Sequence, residues 1–304
     1  MDLKLRPLGI TGLDVSPIGM GCVTFGREID EETSFAVLDR AKERGINLFD
    51  TAAAYADGSS ETVLGRWLSD RGCRDQVILA TKVNGTLTRE HLMRSVEESL
   101  RRLRTDHIDL YQLHHWDDET PLSETLGALA ELIVAGKIRS VGCSNWQAWQ
   151  LAKALLLSGR NGGAAVQCVQ PPYNLVQREI ESDLLPLCVD QDIGVISYSP
   201  LAAGFLAGKY RRGQEVPKGT RFDVIPGHQP IYFTAHGFAV LDRLDAAARE
   251  SGHSRIQIAL SWTLSRPHLT SVLIGARNPE QVDQAFDARK LKLPEETLTA
   301  IAGR

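Results

Sequence analysis

The chain has no pair of cysteines in a CxxC arrangement. Its five cysteines (Cys22, Cys73, Cys143, Cys168 and Cys188) are odd in number and scattered. That argues against a disulfide framework or a zinc site, no metal site is expected, and the default is a reducing cytoplasm. No apolar run approaches the length that spans a bilayer. The N-terminus, Met1-Asp2-Leu3-Lys4-Leu5-Arg6, lacks the apolar core of a signal peptide, so a soluble cytoplasmic protein is expected. Charge of neither sign dominates, and a formal net charge of -4 gives no electrostatic case for nucleic acid or an anionic membrane as partner. Two chemical fingerprints are missing as well. Gly19 and Gly21 make only a GxG with no helix directly behind it, so a GxGxxG dinucleotide loop is absent. There is no GxSxG, and no cysteine is obviously paired with a base, which leaves acyl transfer without a nucleophile.

What is present is a regular alternation. Residues 3–8 and 13–16 flank Gly9-Ile10-Thr11-Gly12 and read as a short β-hairpin. Val15 to Met20 reads as the first buried strand, and Asp30-Glu31-Glu32-Thr33 opens an amphipathic helix that Gly45 closes. Further strands are expected at 46–49, 77–81, 108–113, 138–142, 165–169, 193–197 and 270–274. Helical patterns at 60–70, 89–103, 122–135, 146–157 and 180–191 separate most of them. Residues 204–234 break the repeat with little periodicity and read as a long mobile loop after strand seven. Eight strands alternating with helices suit an α/β fold, a closed (β/α)8 TIM barrel. Barrels of this kind commonly run to roughly 250 residues or more, and with no boundary or repeat in view, residues 1–304 are expected to form one domain.

The ends of those strands carry the chemistry. Strand two ends on Asp50 with Tyr55 on the following turn, strand three on Thr81-Lys82, and strand four on His114-His115. Strand five ends on Ser144-Asn145, strand six on Gln170, strand seven on Tyr198-Ser199-Pro200, and strand eight on Gly275-Ala276-Arg277. Each has a plain alternative: Asp50 caps a turn, Tyr55 is a half-buried surface ring, and Asn145 and Ser144 cap the next helix. A parallel barrel gathers all these ends on one face. There, Asp50, Tyr55, Lys82 and His114 make a chemical set. A phenol titrates near 10, and an ammonium beside it lowers that value. An aspartate holds the lysine charged, and a histidine aligns a substrate oxygen. Such a site protonates an oxygen gaining negative charge, as a carbonyl does under hydride attack. Strand alternation turns the neighbours His114 and His115 opposite ways, so His115 points elsewhere if His114 belongs to this set.

These stretches together resemble the aldo-keto reductase superfamily. The matches are Gly45-Ile46-Asn47-Leu48-Phe49-Asp50-Thr51-Ala52 with Tyr55, Ser60-Glu61 with Leu64-Gly65, Thr81-Lys82, and Asp109-Leu110-Tyr111-Gln112-Leu113-His114. They continue through Gly136-Lys137-Ile138-Arg139-Ser140-Val141-Gly142-Cys143-Ser144-Asn145, Gln170-Pro171-Pro172-Tyr173-Asn174 and Tyr198-Ser199-Pro200-Leu201. The loop after Leu201 and the stretch from Gly275 to Gln281 look closer to the bacterial and potassium-channel β-subunit branch.

The resemblance implies NADP(H) bound without a Rossmann domain, Tyr55 as general acid–base, Asp50 and Lys82 in support, and His114 orienting the carbonyl of a small-molecule substrate. It further implies that Ser144, Asn145 and Gln170 bind the nicotinamide carboxamide and that Tyr198 stacks on the ring. Ser199, Leu201, Gly204, Leu206, Gly208 and Lys209 would cover the pyrophosphate, and Gly275, Arg277 and Gln281 the adenosine end, with Arg277 on a 2′-phosphate. Gln284-Ala285 replaces a usual Glu-Asn pair at the adenine, which leaves NAD(H) open, and Ala56 replaces a glycine common after the tyrosine. Trp116 and Phe25 are expected on the apolar substrate wall, with Val23, Tyr232 and Phe233 as further candidates and Asp117-Asp118-Glu119 beside the mouth. Aromatics also fill cores. The expected activity is reduction of aldehydes or ketones, or the reverse oxidation. The alternatives are an NADPH-binding regulatory or sensory subunit with little turnover, and an unrelated barrel using Lys82 as a Schiff-base nucleophile.

Overall fold

The structure is a computed structural model that describes residues 3–161 and 163–303. The chain divides into two compact units. One comprises Met1–Pro171, Ile180–Ser197 and His268–Val282, and the other Pro172–Glu179, Tyr198–Pro267 and Asp283–Arg304.

The first unit holds the whole sheet. A hairpin of β1 (Arg6–Pro7) and β2 (Asp14–Val15) precedes eight parallel strands: β3 (Ile18–Gly21), β4 (Leu48–Asp50), β5 (Ile78–Val83), β6 (Ile108–Leu113), β7 (Ile138–Ser144), β8 (Val166–Gln170), β9 (Gly194–Ser197) and β10 (Ser271–Gly275). They close in sequence order, β10 pairing with β3, which is the (β/α)8 barrel expected. The expected first strand, Val15 to Met20, is split between hairpin and barrel at Pro17, which has no N–H for a ladder. Ser16 bridges the break: its hydroxyl donates to Ile18 O (2.7 Å) and its N–H to Asn47 Oδ1 (2.7 Å).

The helices on the barrel are α1 (Glu31–Glu43), α2 (Ser59–Arg71), α3 (Arg89–Leu103), α4 (Leu122–Val134), α5 (Ala148–Asn161) and α6 (Leu184–Asp190). Asp30 caps α1 by accepting from Thr33 N, and Gly45 leaves it at φ +87°, as the sequence implied. The hairpin seals the N-terminal end of the barrel. Arg6 donates to Leu269 O, Ser140 to Thr11 O and Gln167 to Ile10 O, while Leu8 is fully buried against Gly194.

The second unit carries α7 (Arg221–Val224), α8 (Gln229–Tyr232), α9 (Ala235–Ser251), α10 (Arg255–Leu264), the greater part of α11 (Pro279–Lys290) and α12 (Glu295–Ala302). Residues 204–234 form the long connection after strand seven, and it has a structure of its own built from short turns. Phe205, Tyr210, Phe222, Tyr232, Phe233 and Phe238 stack on one another at ring separations from 5.0 to 6.2 Å, with Phe205 and Phe222 fully buried. Short turns place these rings at irregular spacing, so a search for helical or strand period does not register them. Among the described residues, no helix is long and apolar enough to cross a membrane.

Candidate active site

β4 is a three-residue strand whose last residue, Asp50, is 2% exposed. Lys82, on the inward phase of β5, is completely buried. Its ammonium makes three contacts, to Asp50 Oδ1 at 2.5 Å, Thr51 O at 2.9 Å and Tyr55 Oη at 3.3 Å. Those use the three hydrogens the group possesses. The other Asp50 oxygen, Oδ2, accepts from Gln112 Nε2 at 3.0 Å and Gln170 Nε2 at 2.8 Å, and Gln170 also donates to Gln112 Oε1 at 3.1 Å. A charged pair buried this deeply is tolerated because hydrogen bonds fill the remaining lone pairs.

Gln112 had no role in the sequence reading, although its position was informative. It lies opposite Lys82 in the β5–β6 register and two residues before His114. Opposite it on β7 is Gly142, where a Cβ would stand 3.1 Å from Gln112 Cγ. For Gln170 the structure narrows the expectation: its amide NH2 is directed at Asp50 and Gln112, and its side-chain carbonyl oxygen is left for a ligand.

Tyr55 opens a tight turn in which Ala56 (φ 49°), Asp57 (φ 51°) and Gly58 (φ 83°) are all left-handed. That reversal swings the phenol back over Lys82, whose Nζ lies 4.9 Å from the ring centre. His114 meets the same ring edge-on at 5.8 Å. Its Nδ1 is buried without a protein partner. The preference for His114 over His115 rested on the family's Asp-Leu-Tyr-Gln-Leu-His register together with strand alternation, but β6 ends at Leu113. Beyond it the two imidazoles stack at 4.7 Å, His115 outermost and exposed.

The electrostatics correct one expectation. Burial raises the Tyr55 pKa and Asp50 adds to the rise; Lys82 opposes both without cancelling them, so the net shift is upward. Burial by itself would depress Lys82, yet Asp50 and Tyr55 together leave it raised. His114 is pushed down to about 3 by burial, then by Lys82 and His115. At neutral pH the set is therefore a phenol, an ammonium and a neutral imidazole. Cys22, beside Asp50, is raised well above the ordinary thiol by burial and by that carboxylate, and is no nucleophile.

The remaining residues fall around these ends. Ser144 donates to Gln170 O (2.8 Å), and Asn145, itself left-handed at φ 60°, donates to His114 O (3.0 Å) and Ser144 Oγ (3.2 Å). The α5 N-terminus has a different cap, Gln150 accepting from Gln147 N. Gly275, Arg277 and Gln281 are exposed, and Gln281 Oε1 accepts from Arg277 N at 2.9 Å, shaping the turn into α11.

Trp116 is half-buried, donates to Asp118 at 2.6 Å, and packs edge-on against Trp146 and the exposed Trp149. Trp149 went unnoticed because one aromatic in a helix's first turn carries no periodic signal. Of the acidic cluster, Asp117 is a loop anchor. It accepts from Leu87 N, Glu119 N and Thr120 Oγ1, bonds that outweigh burial and hold its carboxyl down to about 2. Phe25 is fully buried, so it presents no face to a substrate.

In the second unit, Tyr198 O accepts from Tyr173 N and Ser199 O from Asn174 Nδ2. The turn continues left-handed through Ala202, Ala203 and Gly204. The N–H groups of Gly204 and Leu206 both donate to Leu201 O, so these two amides, expected on a pyrophosphate, already have a partner. Lys209 is exposed, while Tyr232 and Phe233 pack within the aromatic cluster.

The family model for the aldo/keto reductase family matches residues 17–303. An aldo-keto reductase, YhdN, from Bacillus subtilis is 37% identical over 92% of this chain and 87% of its own. A probable voltage-gated potassium channel subunit beta from Oryza sativa is 32% identical, covering 96% of this chain and 94% of its own. Norsolorinic acid reductase B from Aspergillus parasiticus is 30% identical, covering 94% and 80%. Such matches, spanning nearly the whole length and agreeing with the closed barrel, make this chain an oxidoreductase belonging to the aldo/keto reductase family.

Proposed function

We propose that the protein reduces aldehydes or ketones to alcohols, or runs the reverse oxidation, with NADP(H) as its dinucleotide and Tyr55 as the proton donor. The observation that carries this reading is the buried chain Tyr55–Lys82–Asp50 with a neutral imidazole edge-on to the Tyr55 ring. When bound, the reduced nicotinamide would supply hydride to the carbonyl carbon. The proton is this chain's part. Tyr55 Oη gives its hydrogen to the carbonyl oxygen, and the phenolate left behind is met by the Lys82 ammonium at 3.3 Å. Asp50, fixed by Gln112 and Gln170, keeps that ammonium charged and aimed. His114 is uncharged, so it aligns the carbonyl oxygen and does not compete as the acid.

The residues present suit a dinucleotide. The buried, unpartnered His114 Nδ1 shows polar capacity that the protein alone leaves unused. Ser144, Asn145 and the Gln170 carbonyl would hold the carboxamide, and Tyr198 the nicotinamide face. Ser199, Leu201, Gly208 and Lys209 would hold the pyrophosphate, while Gly204 and Leu206, whose amides are engaged by Leu201 O, would shape the turn around it. Gly275, Arg277 and Gln281 would hold the adenosine end, with a guanidinium suited to a 2′-phosphate. Ala285 is buried, so of the Gln284-Ala285 pair only the exposed Gln284 faces outward. That is the reason to test NADH beside NADPH.

Tyr55→Phe should fold and bind cofactor yet lose about 10²- to 10⁴-fold in turnover. Normal turnover in that variant refutes the role. The likeness to channel β subunits supports a second reading, a cofactor-binding regulatory subunit. Sustained NADPH consumption with a panel of aldehydes separates the two.

A further inference from the structure

Behind the barrel wall, opposite the face that carries Lys82, lies a second buried ion pair. Glu61, on α2, is completely buried, and its Oε2 accepts from Arg102 Nε at 2.6 Å. Its Oε1 accepts from Thr81 Oγ1, also at 2.6 Å. Thr81 is the residue before Lys82, and alternation along β5 sends the two side chains to opposite faces. Arg102, in the last turn of α3, is 19% exposed and reaches Ser99 Oγ as well (3.4 Å). It also forms the seat of the Tyr55 turn. At Gly58 a Cβ would stand 2.7 Å from Arg102 Cδ and 2.8 Å from Nε, so the turn lies flat on the arginine. Ser60 pins the far side of the turn by donating to Cys22 O (2.7 Å) and pairing with Thr51 Oγ1 (2.8 Å).

We propose that the Glu61–Arg102 pair is a positioning device that holds the left-handed turn from Tyr55 to Gly58 against the strand bearing Lys82, and so sets the 3.3 Å between the phenol and the ammonium. The inference rests on the reading of Tyr55 as proton donor. Three consecutive left-handed residues, two of them not glycine, are not a conformation the backbone takes by preference; surrounding contacts must impose it. One carboxylate joins both halves of the contact, being six residues from Tyr55 and bonded to the neighbour of Lys82. A bulk packing role would not require a charge there, because an ion pair this buried contributes little net stability over apolar residues of the same size.

The test is the double variant Glu61→Gln/Arg102→Met, which removes both charges, keeps an acceptor for Thr81 and fills the same volume. Cofactor affinity, read by fluorescence quenching, and KM for the carbonyl should change by less than about twofold, while kcat falls about tenfold or more. The sharper readout is the pH profile of alcohol oxidation, which needs the phenolate. Tyr55 is faced by Lys82 and Asp50 from the strands, by His114 from the loop after β6, and by Cys22 from the loop after β3. Of these, Lys82 supplies the attraction that favours the phenolate. Loosening that contact should move the alkaline limb up by about one pH unit. Arg102→Lys, which keeps the charge, should recover part of both effects.

Should the double variant fail to fold, Gly58→Ala displaces the turn from Arg102 directly and should give the same kcat and pH signature. An unchanged profile in a folded variant overturns the proposal. So does a loss of kcat that merely tracks lost cofactor affinity. If instead the wild-type protein and Tyr55→Phe turn over equally well, it is the proton-donor reading that has failed.

Discussion

Acid should unfold this protein earlier than its surface charges suggest, and His114 is the reason. An unfolded histidine titrates near 6.5; in the fold, His114 is held down to about 3 by burial, the Lys82 ammonium and the neighbouring His115. A depressed folded value means the native state binds fewer protons than the unfolded chain. The resulting stability is complete above pH 6.5 and drains away as pH falls toward the folded value. With 1.36 kcal/mol per unit, the full shift removes about 2 kcal/mol between pH 7 and pH 5. His114 is only half-buried as a residue, and solvent screening reduces the figure to about 1 to 2 kcal/mol.

The measurement is urea denaturation at pH 7 and pH 5 for the wild-type protein and His114→Gln. The chain has eight histidines, so only the difference between the two proteins isolates this one. The variant should be near wild type at pH 7, since His114 Nδ1 gives up no protein hydrogen bond, and should lose about 1 to 2 kcal/mol less on going to pH 5. Parallel pH dependences, or an imidazole signal titrating near 6.5, refute the reasoning.

Three further substitutions probe the site. Lys82→Met should abolish turnover and raise the Tyr55 pKa further, since burial and Asp50 remain and the opposing charge is gone; an unshifted pH profile in a residually active variant contradicts this. Ala56→Gly relieves a left-handed alanine at φ 49°, worth about 1 to 2 kcal/mol against about 0.5 to 1 of added chain entropy, so the variant should be slightly more stable. A lower melting temperature would show that the turn is not strained. Arg277→Ala should weaken NADPH about tenfold or more and leave NADH nearly unchanged; equal losses for both would place the arginine away from the 2′-phosphate.

How far the sequence foretold the molecule depended on the range of the signal. The barrel was legible because strand and helix alternate with clear periods, and Asp50, Lys82 and His114 were legible because each lies at, or one residue from, the end of a strand. For Phe25, Tyr232 and Phe233 the sequence left substrate wall and core packing both open, since an aromatic's identity says that it packs and not against what. Gln112 and Gln170 show a subtler loss. Gln170 was in view as a strand-end residue and Gln112 only as part of the family match, but that their amides converge on one oxygen of Asp50 depends on strand register around the barrel, and register is a property of pairs of distant segments.

The sign of the Tyr55 shift has the same origin and bears most directly on function. Neighbouring charges can be counted from a motif, and the Lys82 ammonium was correctly placed beside the phenol. Burial cannot be counted that way, because it accumulates from every element closing over the site. Here it exceeds the lysine's pull. A phenol raised in this manner stays protonated at neutral pH, which is the form a carbonyl reduction consumes. Alcohol oxidation consumes the phenolate instead, so on the proposed mechanism the two directions should separate by pH, with reduction nearly flat through neutrality and oxidation rising toward the alkaline side. On that proposed mechanism Lys82 would serve less to ionise Tyr55 at rest than to stabilise the negative charge that appears when the proton leaves, a contribution realised in the transition state and shown only in part by ground-state titration.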